Sequence, residues 1–368
     1  MTERTYNFYP GPATLPLPAL EKAKEEFLDF AGTGMSVLEI SHRSKEYDET
    51  HQKTTGLVRE LMGVPDDYKI LWLQGGASSQ FYMVPANIAV KGKPMEFVHT
   101  GTWSKKAIAE AKLYGDVNVV ASSEDEGFSF VPNPKDFEFS DSAAYAHITG
   151  NNTINGTEWQ EWPEAPDNVP LVGDMSSNLM NRVMDVSKFG VLYAGAQKNL
   201  GPAGVTLLIV REDLLGRVPE NTPTMQKWIT HAKKDSLFNT PPVFPIYMSG
   251  LCLEHLKNIG GVPEMEKINK RKAKLLYDVI DNSNGFYRGH ARKDSRSLMN
   301  VTFNVFKDDK NDKELEQKCV VGGLKRGLVG LKGHRSVGGM RASIYNAMPV
   351  DGVKALSEFL MDFQEQNE

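Results

Sequence analysis

The sequence predicts an α/β protein: a large domain with a mostly parallel central sheet flanked by helices, followed by a smaller C-terminal α+β domain. Three observations carry this expectation. Short apolar runs recur along the first 210 residues, most of them closing in glycine or a small polar residue and opening into a segment with helical spacing. A long amphipathic segment then runs from Val262 to Ile280, with Met265, Ile268, Leu275, Leu276, Val279 and Ile280 on its apolar side, and beyond it strand and helix patterns alternate. A chain of 368 residues also exceeds what one core usually fills. The expected division is 15–260 for the large domain and 261–368, joined by the N-terminal arm 1–14, for the small one.

Composition bounds the function. A net charge of −5 without any basic block gives no footprint for nucleic acid. The N-terminal residues carry no apolar signal region, and no apolar run reaches membrane-spanning length. Two cysteines, Cys252 and Cys319, make no disulfide framework, so a reducing cytoplasm is expected. The eight histidines show no metal-ligand spacing, so no metal is expected. Asn155-Gly156-Thr157 and Asn300-Val301-Thr302 match the glycosylation pattern and are read as chance.

In chain order, Tyr9-Pro10-Gly11-Pro12-Ala13 reads as a rigid arm, followed by a helix near Pro18 to Phe30. Ser36 to Ser44 places His42 and Arg43 after apolar residues, which suits an anion-binding loop or a surface salt bridge. The strand Tyr68–Leu73 runs into Gly75-Gly76-Ala77-Ser78-Ser79 and a helix. Such a junction is either a plain turn or a phosphate cup, with the Ala77 and Ser78 amides as donors at a helix N-terminus. The strand ending at His99 is followed by Gly101, Trp103 and Ser104, so that Trp103 either packs in the core or stacks on a planar ring. Tyr145 to Thr149 is a strand leading to a polar loop, where Thr153 can hydrogen-bond a ligand hydroxyl or phosphate.

Two further strand ends carry the strongest chemistry. Val169 to Asp174 is an apolar strand that ends in an acid, which alone reads as an ordinary helix N-cap. Val191 to Gly195 delivers Lys198, 24 residues later, into a Gly/Pro-rich turn. Alone, Lys198 reads first as a solvated surface residue. Together, an acid that keeps a pyridine nitrogen protonated and a desolvated lysine that forms an imine are what pyridoxal phosphate requires.

Beyond them, Val205–Val210 is a strand and 219–245 is rich in Pro, Thr and Asn, an irregular length that is usually functional. Pro245 to Gly260 is helical, with Cys252 in its apolar face. In the small domain Met299–Phe306 reads as a strand, Asp312–Gly323 and Val353–Gln364 as helices, and Arg341–Tyr345 as a strand. His334, Arg335 and Arg341 flank a glycine hinge, suited to carboxylate and phosphate recognition or to a solvated sheet edge.

These stretches resemble the phosphoserine aminotransferase family, in the class V group of fold type I pyridoxal-phosphate enzymes. The most specific are Ala194-Gly195-Ala196-Gln197-Lys198-Asn199 and Gly338-Gly339-Met340-Arg341-Ala342-Ser343-Ile344-Tyr345-Asn346-Ala347, supported by Ser41-His42-Arg43, Phe238-Asn239-Thr240-Pro241-Pro242 and Gly333-His334-Arg335. The resemblance implies that Lys198 binds the cofactor covalently, Asp174 pairs with the pyridine nitrogen, Trp103 stacks on the ring and Thr153 meets the ring oxygen. It implies that Ala77, Ser78 and Gln197 hold the phosphate, with Asn239 and Thr240 reaching the cofactor of a neighbouring subunit in a homodimer with shared sites. By the same resemblance Arg341 grips the substrate α-carboxylate, and Arg43, with His334 and Arg335 of a partner chain, grips the substrate phosphate. The implied reaction moves an amino group between glutamate and 3-phosphohydroxypyruvate, giving O-phosphoserine and 2-oxoglutarate in serine biosynthesis. In some members 4-phosphohydroxythreonine, of pyridoxine biosynthesis, is a further substrate. Some members carry arginine after the paired glycines, where this chain has Ser78 and Ser79. A cysteine desulfurase or another class V aminotransferase is the alternative within the fold; a non-catalytic phosphate-ligand binding protein is the alternative outside it.

Overall fold

The computed structural model describes residues 4–367. Its centre is a seven-stranded sheet built from β1 (Tyr68–Leu73), β2 (Met95–His99), β3 (Val117–Ser122), β4 (Tyr145–Thr149), β5 (Leu171–Asp174), β6 (Val191–Gly195) and β7 (Thr206–Arg211), in the order β1-β7-β6-β5-β4-β2-β3. Neighbours among β6, β5, β4, β2 and β3 are parallel, while β7 lies antiparallel between β1 and β6. The central strands β2, β4, β5, β6 and β7 are short and almost wholly buried because both faces are covered, whereas the edge strand β3 lies partly exposed.

Alternation along each strand divides the core in two. Ile70, Trp72, Ile148, Leu192 and Ala194 join one cluster with Leu57 and Val58 of α2 (Lys45–Met62) and with Leu253 and Leu256 of the helix Val243–Asn258. The residues between them, Leu71, Leu73, Tyr145, Val172 and Tyr193, join another with Phe81 and Val84 of α3 (Gly76–Ile88) and with Ala107 and Ile108 of α4 (Thr102–Ala111). The first helix, α1, covers Leu17–Glu26. It stops short of the expected end at Phe30, where a single turn of tighter helix at Phe30–Gly32 takes over, with Ala31 at φ 53.

The Pro/Thr/Asn-rich region is also more ordered than its composition suggests. It contains a short helix, Trp228–Ala232, anchored by the fully buried Trp228, whose indole donates to Gln80 at 3.2 Å and whose amide donates to Asn87 at 2.9 Å. Buried aromatic area outweighs local turn propensity here.

A separate cluster gathers the C-terminal part. Ala273, Leu276 and Ile280 of the long helix Gly261–Asp281 pack with Val301, Phe303 and Val305 of the strand Asn300–Lys307, Ala342 of the strand Met340–Ser343, and Val353, Leu356 and Leu360 of the last helix, Val350–Glu365. The N-terminal arm belongs to it through Phe8, and Tyr6–Asn7 pairs in parallel with Leu328–Val329. Among the described residues no helix is long and apolar enough to cross a membrane.

Candidate active site

The carboxyl ends of β1, β2, β4, β5 and β6 lie along one edge of the sheet, and the chain turns there at Gly75, Gly101, Gly150, Asp174 and Gly195. That edge is where open α/β sheets leave a crevice for a ligand.

Lys198 projects into it. Its Nζ donates to Thr153 Oγ1 at 2.7 Å and stands 5.1 Å from the centroid of the Trp103 ring. Burial lowers its amine to about 8; Asp174 opposes the lowering and Arg341 adds to it. The arm closes over the lysine: Ala13 N donates to Gln197 O at 2.9 Å, and a Cβ on Gly11, at φ +144, would lie 3.2 Å from Lys198 Cγ. Only glycine takes that path without strain.

Asp174 ends β5, paired in register with Tyr193 on one side and Thr149 on the other. Ser176 clamps one carboxylate oxygen, Oδ1, donating from its Oγ at 2.7 Å and its amide at 3.0 Å. The other oxygen, Oδ2, accepts no hydrogen bond among the described residues. Burial pushes the acid up from its ordinary value, against the pull of Ser176 and of the Lys198 cation. A buried carboxylate with a free oxygen calls for a cationic donor.

Trp103 lies in the first turn of α4, on a turn locked by the buried Ser104, whose Oγ accepts from the Thr100 and Gly101 amides at 3.0 Å each. The indole Nε1 is buried and unpartnered. At the start of α3, the first intrahelical bond is Ser79 N to Gly75 O, so the Gly76, Ala77 and Ser78 amides point out of the helix end. Gly75 turns into it at φ +91, where a Cβ would lie 1.8 Å from Ser79 Oγ.

Arg341 comes from the small domain's strand and reaches Thr153 O at 3.2 Å with Nη1. Its Nε is buried and unpartnered, burial lowers its ordinary value, and among the described residues no carboxylate pairs with it. His334 is held below its ordinary value by partial burial and by Arg341, Arg335 and Lys106.

The structure thus gathers Lys198, Thr153, Trp103, Asp174 and Arg341, and brings His334 within electrostatic reach of them. Arg43, Asn239 and Thr240 are exposed, and among the described residues no contact joins them to Lys198; Arg43 Nε meets only His42, at 3.4 Å. Two residues at the site escape the sequence reading. Ser176 is signalled by the Asp-x-Ser spacing of a side-chain-to-backbone turn. Tyr345 lies in phase with Arg341 and Ser343 along the strand direction, and its hydroxyl donates to Pro10 O at 2.7 Å, tying the arm to the Arg341 segment. Among the described residues no cluster of His, Cys, Asp or Glu could hold a metal ion.

This arrangement has counterparts among known proteins. The aminotransferase class-V family model matches residues 5–356. The chain is 54% identical, over 366 residues and the full length of both, to a phosphoserine aminotransferase of Bacillus subtilis (strain 168). A solved phosphoserine aminotransferase studied for radiation damage of its Schiff base superposes with a TM-score of 0.96 at 50% identity, covering 99% of this chain and 100% of that one. The phosphoserine aminotransferase of Bacillus circulans subsp. alkalophilus superposes with a TM-score of 0.96 at 47% identity, covering all of both chains. A buried lysine and acid on neighbouring strand ends, in a fold matched over its whole length, place the chain in the class-V aminotransferase family, among the phosphoserine aminotransferases.

Proposed function

We propose that the chain reversibly transfers an amino group between glutamate and 3-phosphohydroxypyruvate, yielding O-phosphoserine and 2-oxoglutarate, with pyridoxal phosphate as cofactor. The observation that carries this reading is the set of groups around Lys198: a desolvated amine, an acid with a free oxygen, and a buried guanidinium without a carboxylate partner.

The residues present fit the cofactor. Asp174 Oδ2, left without a donor, is free to accept from a protonated ring nitrogen, Trp103 offers an indole face, and Thr153 Oγ1 is at hand for the ring oxygen. The α3 amides of Ala77 and Ser78, with Gln197, suit a phosphate dianion at a helix N-terminus. When bound, the pyridoxal ring acts as an electron sink for the substrate carbanion.

The chain's own groups do the rest. Lys198, with a fraction of neutral amine near pH 7–8, would hold the cofactor aldehyde, and its Nζ, once released by a substrate amine, would serve as the base that takes the substrate α-proton. Arg341 holds the α-carboxylate with its charged fork and so fixes which bond at Cα stands ready to break. His334 and Arg335 take the substrate phosphate from the same chain as Arg341, which His334 feels electrostatically, rather than from the partner as the resemblance implied, and Arg43, remote from Lys198, reaches it across the interface.

Several further assignments belong to this proposal. The unit acts as a homodimer in which Asn239 and Thr240 meet the partner's cofactor and basic groups cross the interface to the substrate. Support comes from large apolar side chains left exposed between Tyr9 and Leu38, with Leu28 78% and Leu38 58% exposed, and from exposed Phe238 beside Asn239. The large domain spans 15–260 and the small one 261–368 with the arm 1–14; the C-terminal cluster supports this from Ala273 onward and through Phe8, while Val262 and Met265 of the long helix pack into the large domain's core. Two buried, unpaired cysteines suit the cytoplasm. Burial pushes both thiols up to about 12, which argues against desulfurase chemistry, where a reactive thiolate is needed.

The test is the visible absorption of the purified protein with bound cofactor, titrated with O-phosphoserine and, separately, with serine and glutamate. Conversion of the cofactor band by O-phosphoserine and by glutamate, at concentrations where serine is inert, supports the reading. A band converted equally by serine leaves the family assignment and removes the phosphorylated substrate.

A further inference from the structure

We infer that Lys106 is a specificity-determining residue for the phosphorylated substrate, supplying at the mouth of the site a cation that the α3 turn lacks. The inference rests on the proposed substrate assignment and deepens it.

Lys106 stands one helical turn after Trp103 on α4, so the two share a face of the helix. Its Nζ lies 4.8 Å from the centroid of the Trp103 ring, the ring that also lies 5.1 Å from Lys198 Nζ. The two amines are therefore no further apart than those two distances together, about the reach of a small substrate. Lys106 also adds to the positive field that lowers His334, so its charge reaches the loop bearing His334 and Arg335.

The ammonium is uncommitted. Neighbouring Lys105 pairs with Glu124 at 3.6 Å, whereas among the described residues no carboxylate pairs with Lys106. The stretch Gly75-Gly76-Ala77-Ser78-Ser79 contains no basic residue, so the phosphate end of a substrate finds no cation there. An ammonium on a four-carbon stem, with three donors and freedom to swing off the indole, suits a phosphate monoester, which carries up to one more negative charge than the side-chain carboxylate of glutamate.

The rival role is purely structural, with Lys106 only covering the indole. Lys106→Gln, with Lys106→Met as a second neutral variant, and Lys106→Arg as the charge-retaining one, are compared as full-length holoenzymes. The readouts are kcat/KM for O-phosphoserine and for glutamate, competition by inorganic phosphate, and the cofactor absorption band. We expect the ratio of kcat/KM for O-phosphoserine to that for glutamate to fall about tenfold in the neutral variants, mainly through KM, with phosphate inhibition weakened in step and Lys106→Arg recovering most of both. An unchanged ratio with the band retained overturns the inference, as do equal losses for both substrates with a shifted band, the mark of disturbed packing on Trp103. If the parent enzyme fails to prefer O-phosphoserine over serine, the substrate assignment itself falls, a result distinct from either.

Discussion

In the proposed reaction the amine of Lys198 acts because burial has taken away part of its proton affinity. Its value of about 8 lies below that of a free lysine, so the neutral fraction grows as pH rises through 8, and below that it shrinks by about tenfold per unit. Binding of pyridoxal phosphate to cofactor-free protein, followed by stopped-flow absorbance from pH 6 to 9, should therefore accelerate with pH and level off above about 8. A rate independent of pH across 7–8 removes the depressed lysine from the argument. Lys198→Ala should keep its fold by circular dichroism and lose steady-state transamination by at least about 10³-fold; near-normal turnover by that variant contradicts the assignment. Lys198 was legible in the sequence because a cation in an apolar, glycine-rich strand end is out of place. The clamp on Asp174 Oδ1 by Ser176 was less so, because serine after an acid also fits a surface turn.

At the scale of elements, one helix does more than its pattern announces. The long helix Gly261–Asp281 buries Met265, Asn269, Lys272, Ala273, Leu276 and Ile280, so two polar residues lie in phase with its apolar stripe. Lys272 donates to Tyr345 O at 2.7 Å, Ile344 O at 2.9 Å and Met348 O at 3.1 Å. Burial pushes this amine down to about 7, yet three carbonyl acceptors are satisfied only by the three N–H groups of the protonated form, which holds it charged at neutral pH. Asn269 bonds Asn346 at 2.8 Å, and the Asn346 amide bonds Asn199, beside Lys198, at 2.8 Å. The turn after the Arg341 strand is thereby fixed both to the long helix and to the lysine loop. Lys272→Met leaves buried carbonyls unpaired and should cost about 1–3 kcal/mol in urea denaturation. It should also raise KM for both amino-acid substrates, since Tyr345 and Arg341 share that segment. Unchanged stability and KM would show that water replaces the ammonium there. The strand ends were readable from apolar runs closing in glycine, whereas this latch was not: helical periodicity marks a buried stripe by its apolar members, and Lys272 and Asn269 read as solvated.

For the whole molecule, what was least readable is what one chain does not assemble alone. Asn239 and Thr240 are exposed, and Leu28, Met35 and Leu38 lie with much of their apolar surface uncovered among the described residues. Both facts are accounted for if each site in the proposed dimer takes Lys198 and Asp174 from one subunit and Asn239 and Thr240 from the other. Local sequence patterns report which residues are polar, small or apolar, but carry no information on which subunit closes a given site. Shared sites predict complementation. One inactive chain carries Lys198→Ala; the other carries Asn239→Asp with Thr240→Glu, which sets carboxylates against the cofactor phosphate. In a mixed dimer one site inherits both defects and the other inherits neither, so co-expressed chains purified through two different tags should regain about half the activity of the parent dimer per dimer. If Asn239 and Thr240 instead serve their own chain, every site in the mixed dimer keeps one defect and no activity returns.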